Sequence, residues 1–359
     1  MTVETFADFC AGIGGFRLGL EALGLRCVYA CEHDKDCVAT YNANFSADHA
    51  PEDILSVVPA RLPDFDILCA GFPCQPFSLA GKKLGLEDER SRVLPQLLKI
   101  IAAKKPKVVL LENVENFRAF GGGSLLEATL KALDEAGYIG FSDVLDASRF
   151  GVPQQRRRLF IVAFRREVGI QAFRFPTGSA LQTPFRPFLA AGDCSIPITG
   201  RWQEYIDFYG GKKALHELSF TPPKTRLGIE KAHAGIDLGD CIYQMRSSGI
   251  RALSLDRPLP TLAVSISGGG AMIPVYSKER RHLNLTEIRR VMGFPDSFQF
   301  PVSRTSAIKQ LANAVSPPVA KAIGAAIMAA AARGDGAPSA FPSALPTRFQ
   351  RAPSHGYRS

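Results

Sequence analysis

Short, almost continuously apolar runs alternate with amphipathic stretches through the first 165 residues. Residues 3–9, 26–31, 66–70, 108–111 and 159–164 read as strands, and 16–23, 92–103 and 125–136 carry apolar side chains at helical spacing. Strands apolar on both faces and separated by helices predict an α/β fold built on a parallel sheet covered on both sides. The ligands of such a sheet sit at the carboxyl ends of its strands. From about residue 171 the texture changes to Pro, Gly and aromatic residues without a long helical pattern, as in Phe173-Arg174-Phe175-Pro176 and Thr221-Pro222-Pro223. That predicts a smaller, loop-rich, mostly β domain over 171–277. Helical periodicity returns at 285–292 and 317–332, where small Ala and Gly residues predict close packing back on the first domain. Residues 1–170 and 278–333 are thus expected to form one unit, and the Pro/Ala/Ser/Arg-rich stretch 334–359 a disordered tail.

Composition narrows the class. The chain has 359 residues, 46% hydrophobic and 21% charged, enough for a substantial core and too apolar for a disordered polymer. Its longest uncharged apolar run, 323–332, is too short to cross a bilayer, and no basic stretch with an apolar signal core opens the chain. A cytoplasmic protein with no membrane partner is expected. Eight cysteines form no CxxC pair, so neither a disulfide scaffold nor a zinc finger is indicated and most should be buried free thiols. The net charge is +9, unevenly placed: residues 1–170 hold 20 Lys/Arg against 22 Asp/Glu, whereas 171–304 hold 17 against 11. The excess lies in the second half, which suggests a polyanion touching that part most, although a basic surface is often only a solvated one.

Candidate chemistry falls at the expected strand ends. The first strand runs through Phe9-Cys10-Ala11-Gly12-Ile13-Gly14-Gly15 into a helix, a turn whose glycines allow close approach of a ligand. Arg17 stands where a dinucleotide fingerprint needs its third Gly, which disfavours a nicotinamide or flavin enzyme. Glu32 and Asp53 follow at the next strand ends, placed to take ribose hydroxyls and an adenine amine, and no cation in the turn neutralises phosphates. A nucleoside without phosphates suits this pocket; the competing reading makes both residues ordinary solvated loop acids. Cys74 lies between Pro73 and Pro76 in a stiff loop that suits a thiolate nucleophile, where a lone Cys is otherwise a small hydrophobe. Glu112 closes the run Val108-Val109-Leu110-Leu111, where burial would raise its pKa and let it donate to a ring nitrogen; pairing with a nearby Arg is the alternative. In Gln154-Gln155-Arg156-Arg157-Arg158, Arg156 and Arg158 project to one face and Arg157 to the other.

These segments together carry a resemblance. The order FCAGIGGF, EHD, EDI, GFPCQPFS, ENV, FGVPQQRRRLF, a variable region, RHLNLTEIRRVMGFPD and KQLANAVSPPV resembles the bacterial DNA cytosine-5 methyltransferases of restriction-modification systems over about residues 5–325. The resemblance implies a Rossmann-like, S-adenosylmethionine-dependent methyltransferase sheet, with S-adenosyl-L-methionine as methyl donor and a cytosine flipped out of double-stranded DNA as acceptor. It implies that Cys74 adds to C6 of the ring, that Glu112 hydrogen-bonds N3 and the exocyclic amine, that Arg158 holds O2 and that Arg156 supports the same pocket. On the cofactor side it implies Phe9 against the adenine, Ala11, Gly12, Ile13 and Gly14 at the methionine end, Glu32 on the ribose, Asp53 and Ile54 at the adenine, and Asn313 closing the pocket. Pro73, Gln75, Ser78, Gln154, Gly268 and Gly269 are implied at the base or the DNA. Residues 171–277 would form the target-recognition domain, with Arg226-Leu227-Gly228-Ile229, Ile242-Tyr243 and the Gly268-Gly269-Gly270 loop resembling single-specificity members, and loops near 233–240 and 265–271 reading bases. Glu52, Ser91 and Ala312 stand where the family usually has Gly. A monomer is expected, beside a cognate restriction endonuclease that is a functional and not a physical partner, or alone as an orphan enzyme. Two other readings compete: a relative that methylates tRNA, usually with a shorter recognition region, and a non-catalytic DNA-binding regulator, against which Cys74, Glu112 and Arg158 argue.

Overall fold

The computed structural model describes residues 2–45, 49–73, 92–190, 196–246, 248–262 and 273–333. Its first half is a six-stranded sheet in the order β2-β1-β3-β4-β7-β5. The strands are β1 (Thr5–Phe9), β2 (Arg26–Cys31), β3 (Ile67–Gly71), β4 (Val108–Val114), β5 (Tyr138–Asp146) and β7 (Arg157–Arg165), with a two-residue β6 (Gln154–Gln155) before the last. Helices α1 (Gly15–Glu21), α2 (Lys35–Phe45), α3 (Val93–Lys104) and α4 (Ser124–Glu135) join them. The apolar run Val108 to Leu111 is central and essentially inaccessible, as its lack of polar alternation requires.

The sheet is not wholly parallel. β1, β2, β3 and β4 pair in parallel, but β7 runs antiparallel to both β4 and β5. Only residues 147–156 lie between β5 and β7, too few for a crossover helix, so the chain reverses instead. The reversal brings Arg158 opposite Val114, at the same sheet edge as Glu112.

A second six-stranded sheet, in the order β8-β14-β13-β10-β11-β9, uses β8 (Ile196–Pro197), β9 (Ile229–Lys231), β10 (Cys241–Arg246), β11 (Gly249–Ser254), β13 (Val275–Tyr276) and β14 (Arg281–His282). Its last strand lies beyond residue 277, where the sequence pattern placed the return to the first unit. It also carries a ten-residue helix, α5 (Gly200–Tyr209), that the pattern did not show. Trp202, Tyr205 and Ile206, at helical spacing, bury against Tyr243, Ile250 and Ala252. Between the sheets, β12 (Leu259–Pro260) pairs with β6, and Leu259 donates its N–H to the Pro153 carbonyl at 2.9 Å.

Helices α6 (Leu285–Val291), α7 (Arg304–Asn313) and α8 (Pro317–Arg333) return to the first sheet. The Thr40 hydroxyl donates to Gln310 at 2.9 Å, joining α2 to α7. Small residues let α1 and α8 touch: a Cβ on Gly19 would stand 2.7 Å from that of Ala320, and one on Gly324 2.6 Å from a methyl of Leu20. The stretch Arg304–Arg333 is long and apolar enough to cross a membrane, but 56% of that window is buried inside the protein and it breaks between α7 and α8.

Candidate active site

The ends of β3, β4 and β7 converge on Glu112. Its register partners are Gly71 on β3 and Phe160 on β7, and a Cβ on Gly71 would stand 3.6 Å from Glu112 Oε2. Arg158 Nε lies 3.2 Å from Glu112 Oε1. Burial pushes the Glu112 carboxyl above its ordinary value, while the positive Arg158 and Arg156 pull it down. Both sequence alternatives for Glu112 therefore hold together: it is desolvated and it is paired. The next residue, Asn113, donates from Nδ2 to the Phe72 carbonyl at 3.0 Å, and Phe72 packs edge-on against Phe117. The chain is anchored there one residue before the exposed Pro73. Cys74, Gln75, Ser78 and Ser91 lie outside the described residues, as do Gly268 and Gly269.

Period-two alternation holds through the arginine run: Arg156 is buried, Arg157 exposed and Arg158 half-buried. Arg157 makes a two-pronged pair with Glu115 at 2.7 and 2.9 Å. Arg156 reaches neither Glu112 nor open space. Its Nη1 and Nη2 donate to the carbonyls of Ala312 and Ala314, at 2.9 and 2.8 Å. Burial, helped by the like charge of Arg158 and opposed by Glu112, brings its pKa down to about 9. The structure makes Arg156 a clamp between the arginine loop and the end of α7, with Asn313 exposed between its two acceptors. Gln154 is fully buried beside β12, and among the described residues neither its side-chain nitrogen nor its side-chain oxygen has a hydrogen-bond partner.

On the other side of the sheet, Gly12 and Gly14 adopt φ of 55° and 83°, the left-handed conformation that glycine tolerates. A Cβ on Gly12 would meet nothing within 4 Å, so the turn is open at that point, whereas one on Gly14 would strike the Phe45 ring. Glu32 braces the turn: its carboxylate accepts from the N–H groups of Gly12, His33 and Asp34 at 2.8 to 2.9 Å. Asp53 is exposed and caps the turn starting at the buried Ile54, accepting from Leu55 N–H at 2.9 Å. Glu52 turns its carboxylate to the Tyr29 hydroxyl, 2.6 Å away, while its N–H reaches the Glu32 carbonyl. A Cβ on Gly15 would come within 2.1 Å of the Val315 carbonyl, so the link from α7 to α8 lies directly across this turn.

Three residues expected to contact the ligand have buried side chains in this structure. Phe9 is fully buried and packs against Tyr29 and Phe65. The Ile13 side chain is buried with Leu311 and Ala314, leaving only its backbone for the pocket. Ala11 is likewise buried, its N–H bonded to the Cys31 carbonyl. The sequence pattern also passed over Asp8, which is fully buried beneath the turn; burial pushes its carboxyl well up, against the attraction and the backbone N–H of Arg17. An acid inside an apolar strand was the available signal. Thr261, whose hydroxyl donates to the Gln155 carbonyl at 2.7 Å, was passed over too. Burial lifts the thiols of Cys27 and Cys241 to about 11 and of Cys31 to about 12, so these three are not thiolates at neutral pH.

Two clefts meet over the arginine run. One, of about 880 Å³, is lined by Val114, Glu115, Arg118 and Arg158; the other, of about 900 Å³, runs from Asp143 and Asp146 on β5 to Gln244, Arg246 and Arg251 on the second sheet. Gln155, Arg157 and Thr261 border both. The arrangement offers a desolvated carboxyl paired with a guanidinium and, across the sheet edge, an open glycine turn flanked by two carboxylates.

Comparison with known proteins identifies the family. Residues 4–329 match the family described as C-5 cytosine-specific DNA methylase. Type II methyltransferase M.HhaI of Haemophilus parahaemolyticus is 37% identical over 321 residues, covering 88% of this chain and 91% of its own. M.NlaX of Neisseria lactamica is 36% identical, covering 90% and 96%. Among solved structures, DNMT2 of Spodoptera frugiperda aligns with a TM-score of 0.63 at 16% identity, over 91% of this chain and 99% of its own, a likeness of fold.

Proposed function

Since the chain belongs to the C-5 cytosine-specific DNA methylases, we propose that it transfers a methyl group to C5 of a cytosine flipped out of duplex DNA, as the modification enzyme of a restriction-modification system. The observation that carries the chemistry is the desolvated Glu112, paired with Arg158 and tied through Asn113 to the segment that enters Cys74. Cys74, as thiolate, forms a bond to C6 of the ring, and the C5–C6 π electrons move toward C5. Glu112 hydrogen-bonds N3 and supplies the proton that limits charge on the ring. Arg158 holds O2 and keeps Glu112 in register. Once C5 carries its methyl group, a base takes the C5 proton, the double bond re-forms and the Cys74 sulfur leaves.

The residues around the glycine turn fit S-adenosyl-L-methionine. Gly12 leaves room where a Cβ would otherwise stand, Asp53 presents a carboxylate beside the apolar Ile54, and no cation in the turn calls for phosphate. When bound, the cofactor supplies a methyl carbon activated by its sulfonium charge. Glu32 has acceptor capacity left for the ribose, since a carboxylate has about four lone-pair sites and three are used. Asn313 closes the pocket from α7, and Arg156 positions it by holding the carbonyls on either side. Pro73, Gln75, Ser78, Gly268 and Gly269 belong to the DNA side, whereas the fully buried Gln154 supports the arginine loop from beneath.

We place the enzyme in the bacterial cytoplasm, on the nucleoid through its DNA substrate, acting as a monomer beside an endonuclease of matching specificity. Tritiated methyl transfer to mixed-sequence duplex DNA should be measured for the wild type and Cys74→Ala. The variant should lose the incorporation; equal counts would overturn the assignment. A parallel assay on tRNA should give no counts.

A further inference from the structure

The hairpin of β10 and β11 overhangs the 900 Å³ cleft with a face that changes character along its length. At its root Ile242 and Leu253 oppose each other in the apolar core. One step on, Gln244 opposes Arg251, and Arg251 opposes Glu230 on β9, so the three make one row across the sheet. Arg246 stands two residues beyond Gln244, on the same face and opposite Gly249. The other face carries Tyr243, Ile250 and Ala252 into the core under α5. Gln244, Arg246 and Arg251 all line the cleft.

Glu230 holds both guanidiniums. Its Oε1 accepts from Arg251 Nε and Nη2 at 2.8 and 2.7 Å, and its Oε2 lies 3.4 Å from Arg246 Nη1. Two arginines against one carboxylate leave a single net positive charge, a weak grip for phosphate. What the carboxylate does provide is orientation. A guanidinium with a fixed plane is suited to two parallel hydrogen bonds, and a two-stranded ribbon fits the major groove, where guanine offers two acceptors and adenine an acceptor and a donor. We propose that Arg246 and Arg251 read guanines and Gln244 an adenine in the major groove of the target, with Glu230 as the positioning residue that presets the arginines. This rests on the DNA-methylation reading and names the specificity determinants within it.

The test is methylation of a duplex library randomised around a central cytosine, read by bisulfite sequencing, for wild type, Gln244→Ala, Arg246→Ala, Arg251→Ala, Arg251→Lys and Glu230→Gln. Each alanine variant should lose about tenfold or more of its discrimination at one position of the target and keep the others. Arg251→Lys keeps the charge and loses the fork, so it should relax the same position as Arg251→Ala, which covers the case of an alanine variant that folds poorly. Glu230→Gln should weaken both guanine positions together. Variants that slow methylation evenly with an unchanged target would show a phosphate grip and overturn the proposal, as would variants indistinguishable from wild type. A wild type that methylates nothing would overturn the methylation reading as well, so the two failures are told apart.

Discussion

The two sheets hold their charges in different ways. Around the first, the side chains at the strand-end site are spent on backbone, although Arg157 meets Glu115 at the surface: Arg156 holds the carbonyls of Ala312 and Ala314, Asn113 that of Phe72, and Glu32 the N–H groups of Gly12, His33 and Asp34. Around the second, apart from the buried Arg281–Glu287 pair, arginines are spent on carboxylates nearer the surface: Arg186 on Asp240 and Asp256, Arg246 and Arg251 on Glu230, Arg280 on Asp207. A backbone acceptor cannot move without the chain, whereas an exposed carboxylate yields its partner to a competing anion or base edge at little cost. The first arrangement suits atoms that must be held for chemistry, the second suits a surface that exchanges partners. The excess of positive charge after residue 170 is therefore less free than its count suggests; much of it becomes available only on exchange.

The contrast can be broken most sharply at its two kinds of arginine. Arg156→Met leaves two buried carbonyls without donors and should cost about 2–6 kcal/mol, whereas Arg251→Met should cost at most about 1 kcal/mol. Urea unfolding of both variants checks this, and equal losses would erase the distinction. Glycines give a second, smaller test. Gly15→Ala drives a Cβ into the Val315 carbonyl and should cost about 1–3 kcal/mol, while Gly228→Ala, with nothing within 4 Å, should stay within about 0.5 kcal/mol. Glu112 sharpens the comparison through pH. Its raised native pKa means the folded protein holds that proton more tightly than the unfolded chain, so its contribution is full below the ordinary carboxyl range and is lost as pH rises through the raised value. Glu112→Gln should flatten that decline in unfolding midpoints taken from about pH 4 to about pH 8, and should lower turnover about a hundredfold or more. The mildest test is salt: raising it should weaken DNA binding steeply while barely moving cofactor affinity, as titrations at several ionic strengths would show.

Much of the first sheet was legible because β3, β4 and β7 hold long apolar runs and β1 is broken inside only by Asp8, and the strand ends then put Glu112, Glu32 and Asp53 on one rim. β5 escaped notice because it is an edge strand, diluted by Gly140, Ser142 and Asp143. α2 escaped because only Val38, Thr40 and Tyr41 of its eleven residues are buried. Parity along the strand placed Arg156 and Arg158 on one face, but no local rule says that Arg156 will find its acceptors beyond residue 310. Phe9 shows the converse: likeness of sequence supplied an aromatic for the ligand, and the alternation of β1 turned it into the core beside Ala7. In the second sheet, the row of Glu230, Arg251 and Gln244 exists only through register, which pairs residues from three separate strands.

The approach of Val315 to Gly15 also bears on how the protein is born. Along the chain the glycine turn precedes the segment that covers it, with the whole second sheet between them. Contacts so distant along the chain form late, so the glycine turn stays uncovered until the segment that follows α7 has been made.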